Sequence, residues 1–121
     1  MASTKHIVKR KMLHLAPYPL WITIEFTNDV GKSSCKSGWK GDIGDAYFAT
    51  YADGTAGIVL HHKASVPLIV HEVTHCVLTL FRSIQHDVRS EDEEPVAYMM
   101  QHIVAEILKF QKEVKGKFRG R

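Results

Sequence analysis

The stretch Val66-Pro-Leu-Ile-Val-His-Glu-Val-Thr-His-Cys-Val-Leu-Thr-Leu-Phe81 decides how the whole chain is read. It is an apolar run of helix length, and at its centre stands His71-Glu72-Val73-Thr74-His75, an H-E-x-x-H pattern. Residues four apart on an α-helix share a face, about one turn from each other. Both imidazoles can therefore reach one ion. Glu72 stands about 100° round the helix from His71, placed to hold a metal-bound water without being a ligand itself. Two neutral nitrogen donors and a carboxylate beside an open position are what Zn2+ needs to turn water into a nucleophile. The plainer alternative is two half-exposed histidines on a core helix. Context favours the metal. Ser65 can cap the helix, Pro67 is tolerated in its first turn, and Ile69, Val70, Val73, Val77 and Leu80 form a broad apolar face. A polar cluster inside so apolar a helix would be costly to bury without a shared partner.

Towards the C-terminus, this helix is expected to span 65–85, followed by a polar link with His86, Asp87 and Arg89. Ser90-Glu-Asp-Glu-Glu-Pro95 then leads into an apolar-periodic run, so a second helix is expected over 92–114. Asp92 can cap it and Pro95 fits its first turn, while Glu91, Glu93 and Glu94 suit the positive end of the helix dipole. Ala97, Met100, Val104, Ile107, Leu108 and Gln111 follow helical spacing and should pack against the first helix. A catalytic zinc takes three protein ligands and keeps a fourth position for water. The candidates for the third ligand are His86, Glu91, Asp92, Glu93, Glu94 and His102. Glu94 is favoured, 19 residues after His75 at the start of a helix that can lie beside the first. Glu93 is its rival, since one residue rotates a helical side chain by about 100°.

Towards the N-terminus, Ala46–Tyr51 and Ala56–His62 flank Ala52-Asp53-Gly54-Thr55. Two β-rich runs around Asp-Gly predict a hairpin whose second strand leads straight into the H-E-x-x-H helix. Residues 20–27 alternate, with Leu20, Ile22, Ile24 and Phe26 facing one way and Trp21, Thr23, Glu25 and Thr27 the other, which predicts a half-buried strand. Residues 28–45 are rich in Gly, Ser, Lys and Asp and read as a long loop, with Trp39 as core packing or a substrate wall. In residues 4–15, Ile7, Val8, Met12 and Leu15 share a stripe that predicts a short amphipathic helix, ended by Pro17 and Pro19. The fold class expected is α+β: a small, mostly antiparallel sheet of at least three strands within 20–62, packed on the H-E-x-x-H helix and the C-terminal helix.

A length of 121 residues allows one domain, 1–121, with its own core. Composition is that of an ordinary globular chain, with 45% hydrophobic and 24% charged residues. The net charge of +3 comes from basic ends, including the 115–121 tail. Such ends usually solvate, and nucleic-acid binding ranks last among the readings. Cys76 reads as a small buried hydrophobe, and no disulfide to Cys35 is expected. The residues from Met12 to Ile24 lack a cleavage site and are interrupted by His14, Pro17 and Pro19, and no segment is long enough to span a bilayer. A cytoplasmic location is expected.

The paired motifs His71-Glu72-x-x-His75 and Glu94-x-x-Ala97-Tyr98 resemble the gluzincin clan of zinc metallopeptidases. The likeness covers about residues 46–108 and extends to minimal gluzincins and small metallopeptidase-like proteins encoded by bacteriophages. The resemblance implies His71, His75 and Glu94 as Zn2+ ligands and Glu72 as general base. It implies hydrolysis of a protein or peptide substrate, bound extended along an exposed sheet edge, for which the strand around Ile58 to Leu60 is one candidate. The metzincin pattern fails, because Leu78 and Phe81 stand where its Gly and third His belong. Tyr98 stands where the clan often has Asp or Asn. It could orient a zinc histidine, face the reacting carbonyl or simply pack; for the oxyanion, Tyr98, His102 and His86 are all candidates. The alternative from another class is a zinc-stabilised module that binds protein without useful catalysis. Oligomeric state is not legible here.

Overall fold

Strand β2 (Trp21–Thr27) shows why the chain folds as it does. Its alternation sends Ile22, Ile24 and Phe26 fully into the core. The computed structural model describes residues 5–16, 18–36, 45–51, 55–84 and 94–118, of which 34–36 as backbone only. Around β2 lie β1 (Val8–His14), α1 (Val30–Lys36), β3 (Ala46–Thr50), β4 (Ala56–His61), α2 (Val66–Ser83) and α3 (Glu94–Val114). The four strands form one sheet in the order β1-β2-β4-β3. β1 and β2 pair antiparallel, as do β3 and β4, and the central pair β2 and β4 is parallel. The architecture is therefore α+β with a mixed sheet.

The register puts Leu13, Ile22 and Ala56 on one face, together with Ile24 and Ile58, and Phe26 and Leu60. Both long helices cover that face. α2 packs on β3 and β4, while α3 reaches β1 and β2 through Phe110 against Phe26 (ring centroids 5.6 Å apart) and Glu106 near Lys11. α2 and α3 also pack on each other. On the opposite face Arg10 Nε donates to Glu25 Oε1 at 2.7 Å, and Glu25 is buried.

Several expectations need correction. Residues 8–14 form a strand, not part of an amphipathic helix. Lys9 and Lys11 lie on the core-facing side of β1, opposite Phe26 and Ile24, and two charged residues there hide the period-2 pattern. Lys11 holds its Nζ over the Phe110 ring, 6.0 Å from the centroid, and 3.7 Å from Glu106 Oε2. The segment read as a loop contains α1, whose first turn is capped by Asp29 Oδ1 accepting from Lys32 N at 3.1 Å. The strand through Ile58 to Leu60 is no edge: β4 is paired on both sides, and β1 and β3 end the strand order. Trp39, the Asp53-Gly54 turn, Asp92 and the link with His86 lie outside the described residues.

α2 begins where the sequence places it. Ser65 Oγ accepts from Leu68 N at 3.3 Å, and Pro67 occupies the first turn, where no backbone donor is lost. The buried stripe is Ile69, Glu72, Val73, Cys76, Val77, Leu80 and Phe81. Val70 belongs to the exposed side instead, because its Cβ is rotated out of that stripe. On α3 the stripe is Met99, Ile103, Ile107, Phe110 and Val114, with Met100, Val104 and Leu108 partly buried beside it and Ala97 exposed. The expected face was thus rotated: Ile107 belongs to its centre, and Ala97 does not face the core.

Candidate metal centre

The helix that carries the motif is held by its stripe, and this sets the directions of the polar side chains. Glu72 falls three residues after Ile69 and four before Cys76, so it points inward, and its side chain is only 8% exposed. His71 and His75 fall one position to the side and emerge at the surface, His71 with 64% of its side chain exposed. The two imidazoles converge. His71 Nε2 and His75 Nε2 lie 3.2 Å apart, with the rings nearly perpendicular at 76°. At that spacing one ring N–H can donate to the other ring nitrogen. The Oε1 of Glu72 lies 3.8 Å from His71 Nε2.

The electrostatics of Glu72 follow from this placement. Burial pushes its carboxyl above the usual range, and the neighbouring His71 and His75 pull it partly back. Thr74, inside the motif, is occupied locally, its Oγ1 donating to Val70 O at 2.8 Å. Cys76 is buried and free, and burial pushes its thiol up to about 12, so it stands as a small apolar group rather than a ligand.

The pair fits a zinc ion on donor chemistry and on spacing. Two Zn–N bonds of about 2.0–2.1 Å at a tetrahedral angle place their nitrogens about 3.3 Å apart. The observed 3.2 Å matches that edge. The residues proposed for the second helix stand differently. Glu94 is the first residue of α3 and is exposed, as are Tyr98 (66%) and His102. Among the described residues no three His, Cys, Asp or Glu side chains form a group able to hold a metal. His86, Glu91, Asp92 and Glu93 lie outside the described residues. The structure therefore brings together His71, Glu72 and His75, and leaves Glu94, Tyr98 and His102 on the surface of α3.

Also among the described residues, no helix is long and apolar enough to cross a membrane. Comparison with protein-family models, with curated proteins and with solved structures finds no match.

Proposed function

We propose that the chain is a zinc-dependent peptide hydrolase in which His71 and His75 hold the ion and Glu72 is the general base. One observation carries the reading. A carboxylate occupies a core position of α2 beside two imidazole nitrogens spaced as ligands of a tetrahedral ion. A carboxylate at a core position is costly unless the site uses it. A bound zinc ion supplies Lewis acidity and brings the pKa of its water to about 7.

The remaining steps belong to this chain's own side chains. Glu72 accepts the proton of the attacking water and returns it to the leaving amine, a cycle favoured by a carboxyl whose affinity for protons is raised by burial. Glu94, with Glu93 and His86 as rivals, is proposed as third ligand on the motif resemblance alone, since it stands exposed at the start of α3 and does not group with the two histidines. An extended substrate is proposed to pair with β3, which ends the strand order on the side that α2 covers.

The test is digestion of a peptide library by the zinc-loaded chain and by its Glu72→Gln variant. The wild type is expected to give cleavage products, and the variant to bind zinc normally while losing at least about 100-fold in rate, the scale of a lost general base. Full activity in Glu72→Gln would remove Glu72 from the mechanism. A stable stoichiometric protein complex with no products from the wild type would favour the binding module instead.

A further inference from the structure

A second site lies away from the histidine pair, between the turn that follows β4 and the last turn of α3. It is a cavity of about 860 Å3 lined by His62, Lys63, Leu108, Gln111, Lys112, Val114, Lys115, Gly116 and Phe118. Its walls are fixed by contacts of high sequence separation. Gln111 Nε2 donates to His62 O at 3.3 Å and to Ala64 O at 2.9 Å, tying α3 to the β4–α2 turn. After α3 the chain reverses at Gly116, whose φ of +86° is left-handed backbone that suits a residue without a Cβ. The reversal folds Phe118 back against His62, with ring centroids 4.3 Å apart and planes within 13°. Phe118 is buried and joins the hydrophobic core although it lies beyond the helix.

The lining is chemically one-sided. Lys63, Lys112 and Lys115 stand in the lining, and no Asp or Glu among the described residues does. Lysines in a helix's last turn complement its dipole, and Lys112 does so. That role does not account for Lys63, which comes from the β4–α2 turn. Leu108, Val114 and Phe118 add an apolar wall. The volume falls in the range of small-molecule sites, about 300–1,000 Å3. A phosphate monoester carries about −1.5 to −2 charge, so three ammonium groups exceed one phosphate and suit two. We propose that this cavity binds the phosphates of a free organic diphosphate of the nucleotide kind and rests the organic portion on the Leu108, Val114 and Phe118 wall. Burial, with neighbouring His61 and Lys63, lowers the proton affinity of His62, whose ring stacks on Phe118. None of this depends on the metal reading, since the two sites share no residue.

Calorimetric titration of the full chain tests it, using ADP, inorganic pyrophosphate and a short 5′-phosphorylated single-stranded oligonucleotide. Saturable one-to-one binding is expected, weakened about tenfold or more in Lys63→Gln/Lys112→Gln/Lys115→Gln and by rising salt. Lys9→Gln/Lys32→Gln, which removes charge elsewhere, should leave it unchanged. Should the triple variant fail to melt cooperatively, Lys63→Gln alone is expected to weaken binding about threefold, and unchanged binding there overturns the proposal. ADP binding without the oligonucleotide supports the free diphosphate as ligand; oligonucleotide binding without ADP would overturn it. Pyrophosphate binding as tightly as both would overturn the role of the apolar wall. Absence of saturable binding, or equal loss in the Lys9/Lys32 variant, would overturn the site itself.

Discussion

Arg10 and Glu25 show how much one surface residue can carry. The Arg10 side chain is more than half exposed, yet it satisfies one oxygen of Glu25, whose side chain is 8% exposed, while Glu25 Oε2 has no hydrogen-bond partner among the described residues. An exposed pair as such is worth little. Its removal leaves a buried charge, which costs more than the pair contributes. Arg10→Ala is expected to destabilise the chain by about 1–2 kcal/mol at neutral pH, read by denaturant unfolding, and Glu25→Gln by less. Equal losses would show that the pair acts only through its own attraction. At His62 the sign of a pH effect is fixed by burial. Its folded pKa lies below the ordinary 6.5, with burial the largest cause, followed by His61 and Lys63. Between the folded and unfolded values the unfolded chain binds more protons, so this residue's contribution rises with pH and is lost as pH falls. In His62→Gln the part of the stability slope just below pH 6.5 should flatten, while a slope identical to wild type would remove His62 from the linkage.

Elements were legible where a strong period met a strong end signal. α2 combined a 3.6-residue period with a Ser cap and a first-turn Pro, and all three are found in place. β2 and the β3–β4 hairpin were equally plain, since alternation needs only the local chain. β1 was hidden because its inward positions carry Lys9 and Lys11, whose pairing partners lie on β2 and α3. The parallel pairing of β2 with β4 left no local trace, because nothing in either strand states its neighbour. On α3 the apolar residues spread over more than one face, and packing against α2 and β2 selects among them. Ile107→Ala at the centre of the observed stripe should cost about 3 kcal/mol, whereas Ala97→Ser on the exposed side should cost under about 0.5 kcal/mol. Comparable losses at both positions, measured by urea unfolding, would contradict the rotated face.

At the scale of the molecule, the sheet acts as a platform that turns one face of α2 inward and leaves its flank free. The same rotation that buries Ile69, Val73 and Val77 sets Glu72 inside and the two histidines at the rim. That much of the site was readable from five consecutive residues, because helix geometry alone relates them. The proposed third ligand was not, since it would depend on how α3 approaches α2 and on residues 85–93, and no spacing rule specifies either. The exposed Glu94 and Tyr98 mark where sequence reasoning stops. If the ion binds the folded chain alone, it also stabilises it, by about 2.7 kcal/mol at a free concentration 100 times the dissociation constant. Zinc titration of the metal-free wild type beside His71→Ala/His75→Ala, followed by calorimetry, tests the central claim most directly. One equivalent is expected to bind the wild type and to be lost in the double variant, and unchanged uptake by that variant, or no saturable uptake by the wild type, would contradict it.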